Sequence, residues 1–276
     1  MKKNIIVELL RNLRILLKVL VFVNVYLIIL LIFSDWTLAL APSGATITVR
    51  NSTSAPSDTA QSVPAQAGNV TEINIFGFSN TQSWQGYYGN VTGTIQLADS
   101  ADNVMYNWSA SNPGGEVYAS ENSSVIWTNI ACFNFTAEGN LSKDDTGNAG
   151  GYSQYGLNLS QIEARYGIAS SDVDGVDETF SESNTHVTFY TNNLEFNSTE
   201  CPTAYLYDET GQATAGTFEE VILYDPDSKG IVFVALLEND ETGFDNRQHD
   251  FQLIVLEDGH GTDTATTDYY FYVELE

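Results

Sequence analysis

The run Asp172-Val-Asp174-Gly-Val-Asp177-Glu178 sets four carboxylates around one glycine. Such hard oxygen donors are what Ca²⁺ collects in sets of six to eight. The spacing departs from the twelve-residue helix–loop–helix calcium pattern, because no Glu stands at the twelfth position. Asp225 with Asp227, and Glu238 with Asp240 and Asp245, make similar acidic turns. A chain this acidic also clusters carboxylates in loops without any metal. Calcium on Asp172, Asp174, Asp177 and Glu178 is therefore an expectation, and no other cofactor is indicated. The segment Trp84-Gln-Gly-Tyr87-Tyr88-Gly89 reads as an aromatic, glycine-containing connection. If Trp84, Tyr87 and Tyr88 are exposed, their rings can stack on sugar faces; if buried, they cap the core.

Other candidate chemistry falls away on inspection. Asp145-Thr146-Gly147 has the letters of an aspartic protease triplet, but it follows Lys143-Asp144 and has no twin to share a proton with. It reads as a turn. There is no Gly-x-Ser-x-Gly elbow, and His186, His249 and His260 have neither catalytic nor metal-ligand spacing. No catalytic residue is named. Cys132 and Cys201 are the two cysteines, and in an oxidising compartment such a pair is most simply one disulfide.

The elements that would position these residues are β-like. From Thr71 onward, short runs alternate with Gly, Asn, Asp and Ser clusters. The expected strands are Thr71–Phe78, Asn90–Leu97, Asn103–Ser109, Glu116–Ala119, Ser124–Phe133, Thr185–Thr191, Ala204–Tyr207, Thr217–Tyr224, Gly230–Glu238, Asp250–Glu257 and Thr267–Glu276. In the last, Tyr269, Phe271, Val273 and Leu275 alternate with Tyr270, Tyr272, Glu274 and Glu276, as in a half-buried strand. Ile231–Leu237 and Leu253–Leu256 are apolar throughout, as central strands are. Only Leu157–Tyr166 has helical spacing, with Leu159, Ile162 and Tyr166 on one side. The fold class is all-β and mostly antiparallel: a β-sandwich of about ten strands with one short helix, preceded by an N-terminal hydrophobic helix.

Three segments result: 1–41, a signal peptide or signal-anchor helix; 42–70, a Ser/Thr/Pro-rich linker with one short strand at Ala45–Arg50; and 71–276, an acidic exterior domain. Five of the ten basic residues precede Val19, and Val19–Phe33 is apolar except for Asn24. With Ile15–Leu17 added and Lys18 snorkelling, residues 15–33 are long enough to span a membrane, basic side inside. Ala39-Leu40-Ala41 suits signal removal, yet Pro42 follows at once, so cleaved and retained forms both stand.

Nine sequons, Asn51, Asn69, Asn90, Asn107, Asn122, Asn134, Asn140, Asn158 and Asn197, all lie beyond the hydrophobic segment. That is roughly twice the number composition alone predicts, and it favours a glycan-bearing exterior. Asn107 and Asn134 fall in apparent strands and are the expected exceptions. After Ala41 the chain has 34 acidic against 5 basic side chains. That surface repels phosphate backbones, which excludes nucleic acid as a partner.

The stretches NVTGTIQLADSADNVMYNWS (Asn90–Ser109), GEVYAS (Gly115–Ser120), FQLIVLEDG (Phe251–Gly259) and YYFYVELE (Tyr269–Glu276) resemble uncharacterised archaeal cell-surface proteins with an N-terminal membrane segment and a β-rich exterior domain. The resemblance implies a location and a source, and no activity. The expected function is that of a non-enzymatic extracellular or outer-face envelope, filament or adhesion subunit, with Ala45–Arg50 able to complete a neighbour's sheet. The alternatives are a surface-displayed carbohydrate-binding module and, last, a secreted hydrolase.

Overall fold

EEVILYD (β10, Glu219–Asp225) and GIVFVAL (β11, Gly230–Leu236) are rich in β-branched and aromatic residues and pair antiparallel at the centre of the molecule. The computed structural model describes residues 41–110, 114–135, 157–259 and 265–275. β5 (Gly115–Ser120) pairs with β11, β15 (Tyr270–Leu275) pairs with β5, and β1 (Ser43–Gly44) adds to β15. Beyond β10, the short strands β6 (Ala131–Cys132) and β9 (Thr203–Tyr205) both pair with it. The sheet order is β1-β15-β5-β11-β10-β6, with β9 also on β10.

Four two-stranded sheets complete the described strands: β2 (Trp84–Gly89) with β14 (Phe251–Leu256), β3 (Gly93–Ala98) with β4 (Val104–Ala110), β7 (Phe189–Thr191) with β8 (Leu194–Phe196), and β12 (Glu241–Thr242) with β13 (Gln248–His249). Two short helices, α1 (Leu159–Arg165) and α2 (Val176–Thr179), lie between β6 and β7 in sequence.

The central sheet is covered on both faces. Ile222, Tyr224, Ile231 and Phe233 pack against Leu253 and Val255 of β14, Ile162 and Tyr166 around α1, and Val176 of α2. Val221, Leu223, Val232 and Val234 pack against Phe189, Phe196, Val125, Trp127 and Ile130. Each fully buried side chain of this size contributes about 1.5–3 kcal/mol. β15 departs from the half-buried expectation for the same reason. Phe271 joins the first face and Tyr272 the second, so alternation along β15 separates two cores instead of core from water.

The all-β expectation holds, with two short helices where one was read. α1 matches its helical spacing, and Asn158 caps it: Asn158 Oδ1 accepts from Gln161 N at 3.0 Å, and Gln161 Oε1 accepts from Asn158 N at 3.0 Å. Trp84–Gly89, read as a connection, is strand β2, because every residue from Trp84 to Gly89 finds a register partner on β14. Thr71–Phe78 and Ala45–Arg50, read as strands, have no ladder partner; only the Ala45 N–H reaches the Phe271 carbonyl, at 3.0 Å. Of Ser124–Phe133 only Ala131–Cys132 is strand; before it the chain turns at Trp127–Thr128, where Ile126 N donates to the fully buried Asp225 at 3.2 Å.

Gly115 has φ +114°, and a Cβ there would run into the Glu274 carbonyl of β15, so glycine is required where β5 begins. Cys132 and Cys201 form a disulfide, with Cα atoms 4.9 Å apart. Among the described residues no helix is long and apolar enough to cross a membrane. The readings made on residues 1–40, Asn140, Asp145-Thr146-Gly147 and His260 lie outside the described residues.

Candidate functional site

The acidic run Asp172–Glu178 divides between two tasks. Asp172 Oδ2 accepts from Ala169 N at 2.7 Å and closes the turn after α1. Asp174 joins the run to the start of β2: its Oδ2 accepts from Thr81 Oγ1 at 2.6 Å and its carbonyl from Trp84 Nε1 at 2.7 Å. Asp177 and Glu178 stand in the single turn of α2 and meet Glu163 of α1, which the sequence reading did not include. One carboxylate oxygen from each of Glu163, Asp177 and Glu178 lies within 4.8 Å of the others. Glu163 is buried and accepts from Val176 N at 3.2 Å. Burial first, and then the charges of Asp177, Glu178 and Asp172, raise its pKa. Glu178 is raised too, first by its hydrogen bond with Asp177. Three crowded carboxylates, of which Glu163 and Glu178 hold their protons too readily, would accept a hard divalent cation in a proton's place. Of the four expected ligands, the fold brings together Asp177 and Glu178.

The other acidic groups serve backbone and side-chain donors. Asp225 accepts from Asp227 N and Ser228 Oγ in the β10–β11 turn. Asp250 Oδ2 takes Val91 N at 2.7 Å. Asp245 pairs with Arg247 and His249. Glu238 has its pKa pushed up to about 7 by partial burial and by the neighbouring Glu219 and Glu241.

The aromatic trio is split as well. Trp84 packs on Phe180 and Phe233, with ring centroids 6.0 and 6.2 Å away, and its indole N–H is spent on Asp174. Tyr87 packs edge-on against Phe271. These two rings belong to the core. Only Tyr88 presents a face to solvent, beside the equally exposed Phe244 and under the Arg247 guanidinium.

Seven of the nine sequons fall on exposed or half-exposed residues with no capping duty: Asn51, Asn69, Asn90, Asn107, Asn122, Asn134 and Asn197. Asn158, half-exposed, is the cap of α1. Asn134 follows β6 instead of lying within a strand.

On β5 and β15, Glu116 and Glu274 sit opposite each other, and the buried Tyr118 hydroxyl donates toward both, at 3.4 and 3.1 Å. A cavity of about 210 Å³ lined by Glu116, Phe189, Tyr190 and Leu236 adjoins them.

The β3–β4 hairpin answers to the expected strands Asn90–Leu97 and Asn103–Ser109, but its exposed apolar face is not among the expected sites. The register sets Ile95 opposite Trp108 and Leu97 opposite Tyr106, and the intervening pairs are Thr94 with Ser109 and Gln96 with Asn107. One face is apolar and the other polar. Ile95, Leu97, Tyr106 and Trp108 are all exposed, Trp108 at 53%. Among the described strands, β3 and β4 pair only with each other. The period-2 pattern of TIQL and MYNWS could have disclosed this face, but nothing in those letters says that no described strand pairs on to extend it. No protein-family model matches this chain, and no curated protein or solved structure proves similar to it.

Proposed function

We propose that this chain is a non-enzymatic cell-surface protein, exported by residues 15–33, that works outside the cell as an envelope, filament or adhesion subunit built on a layered β-sandwich-like module. One observation carries the reading: the bare apolar face of β3–β4, with the Asn107 sequon on its opposite, polar face. A two-stranded hairpin is marginal alone in water, and a patch of two aliphatic and two aromatic side chains is normally covered. A glycan on the polar face would leave the apolar one open to a partner. The archaeal resemblance is consistent with this reading. Labelling intact source cells with a membrane-impermeant amine reagent tests it. The protein is expected among the labelled, high-mass envelope material, and recovery as an unlabelled cytosolic monomer overturns the proposal.

Carbohydrate binding is the second reading. It draws on Tyr88 with Phe244, and on Tyr106 with Trp108, whose rings lie 5.0 Å apart in the open. Glycan-array binding lost on Trp108→Ala supports it, and no binding across a broad array removes it. The hydrolase reading would draw on Glu116 and Glu274, which face each other beside the cavity, and the bridging Tyr118 gives those two a structural use.

Calcium belongs to the proposal through Glu163, Asp177 and Glu178. Millimolar Ca²⁺ is expected to raise the melting temperature by about 5–10 °C, since a hundredfold excess over Kd supplies about 2.7 kcal/mol. Glu163→Gln is expected to abolish the rise. Identical melting in Ca²⁺ and in chelator rules the cation out.

A further inference from the structure

We infer that the open β3–β4 hairpin of one copy is completed by residues Ile73–Phe78 of a second copy, head to tail, so that the chain polymerises. This rests on the assembly reading above and names its partner and contact.

The donor is visible in the same chain. Residues 45–82 form no strand, and within them Ile73-Asn74-Ile75-Phe76-Gly77-Phe78 carries four large apolar side chains in water, Ile75 at 85% and Phe76 at 90% exposure. The six residues contain no charge and no proline, the composition of a segment that pairs readily as a strand. The acceptor matches it. β3 and β4 each have an edge that no described strand takes, and their apolar face offers Ile95, Leu97, Tyr106 and Trp108. A third strand added to an edge would gain main-chain hydrogen bonds and lay alternate side chains, Ile73 with Ile75 or Phe76 with Phe78, along that face.

Charge points to the same pair. The exterior chain holds 34 acidic side chains, yet neither Ile73–Phe78 nor Gly93–Ala98 nor Val104–Ala110 contains one. These elements would meet without the carboxylate repulsion that the acidic parts of two copies exert on each other. The nearby sequons do not obstruct the contact: Asn69 precedes the donor, Asn90 precedes β3, and Asn107 is on the polar face.

The elements leave β2 at opposite ends. On the donor side, the chain is pinned next to Trp84 by Thr81 on Asp174, by Gln82 accepting from Gly259 N, and by Ser83 accepting from Glu257 N. On the acceptor side, beyond Gly89, Val91 N is held by Asp250, and Gly93 lies against Leu275. β2 is about 20 Å long at six residues. A donor at one end and an acceptor at the other make a heterologous contact, which propagates unless it closes into a ring. Elsewhere in the linker, Ser43 and Gly44 are already engaged on β15, and Ala45–Arg50 is shorter in large apolar side chains, with Ile47 and Val49 alone.

The test uses full-length protein purified from cell envelopes, followed by sedimentation velocity and electron microscopy in low and in molar salt. The native chain is expected to form filaments, more so in high salt, where repulsion between acidic bodies is screened. Ile75→Pro alters a residue outside every element, and Trp108→Lys spoils the acceptor. Each variant alone is expected to lose assembly by about tenfold or more, equivalent to about 1.4 kcal/mol per contact. Mixed one to one, the intact donor of Trp108→Lys fills the intact acceptor of Ile75→Pro and yields dimers that grow no further. If Trp108→Lys proves unfolded by circular dichroism, a synthetic Thr71–Phe78 peptide binding the Ile75→Pro chain takes its place. Native-like filaments from Ile75→Pro overturn the donor assignment while leaving surface assembly intact. A native chain that stays monomeric in all salts overturns both. Capture of a glycan or a lipid vesicle on the hairpin, with no self-association, also overturns the inference.

Discussion

Replacing both cysteines, Cys132→Ala with Cys201→Ala, is expected to cost about 4 kcal/mol of stability, from the loop-closure entropy of a bridge spanning 69 residues. In a domain of this size that corresponds to a melting temperature lower by roughly 8–16 °C. Placement adds to the loop term. β6 takes Leu223 and Tyr224 of β10, and β9 takes Glu219 to Val221, so two short strands lie end to end along one edge. Between them, Phe133 N reaches the Ile222 carbonyl and Ile222 N reaches the Pro202 carbonyl. The disulfide joins the two pieces close to that seam. Without it, a two-residue and a three-residue strand must each hold the β10 edge independently. Calorimetry with and without reductant measures the loss, and hydrogen exchange should place the earliest opening at Leu223 and Tyr224. A change below about 1 kcal/mol would falsify the assignment of the bridge as the clamp of this edge.

Glu220→Gln is expected to stabilise the protein increasingly as pH rises. Glu220 is fully buried on β10, between the central sheet and β14. Its Oε2 accepts from Ile254 N at 2.8 Å, and Oε1 has no partner. Burial holds its pKa well above the usual carboxylate range, opposed only by that hydrogen bond. The folded chain therefore keeps this proton after the unfolded chain has released it. Below the unfolded pKa, near 4.5, the group is protonated in both states and costs nothing through linkage. Above it, stability falls by up to about 1.4 kcal/mol per pH unit until the folded pKa is reached. Glutamine keeps the acceptor for Ile254 N and has no charge to bury, so the variant's stability should be nearly flat in this term. Chemical denaturation at pH 4.5 and pH 8 checks it: similar stabilities at pH 4.5, with the variant ahead at pH 8. Parallel profiles for the two proteins would show that Glu220 does not titrate across folding. Glu238, raised to about 7 but half-exposed, adds a weaker dependence of the same sign.

Much of the frame was legible because local pattern and tertiary context agree there. GIVFVAL and FQLIVL can sit only in covered strands, and LNLSQIEARY carries both its apolar stripe and its capping box within ten residues. The two cysteines had only each other. Legibility failed where one residue type serves two ends. Trp84 and Tyr87 suit a sugar platform or a core equally well, and the choice lay with Phe180, Phe233 and Phe271, distant in sequence. Asp174 and Asp225 look like cation ligands in the chain and act as acceptors for backbone and side-chain donors in the fold.

The sequence by itself determined the β character, the bridge, the acidic charge of the part after Ala41 and the distribution of sequons, since each follows from composition or from spacing along one chain. Only the tertiary structure decided which carboxylates meet, which rings are wet and which strands lack a neighbour. Those are properties of contacts between segments far apart in sequence. Glu163 joins Asp177 and Glu178 because α1 packs beside α2, and β3–β4 is bare because no described segment of the same chain is placed over it.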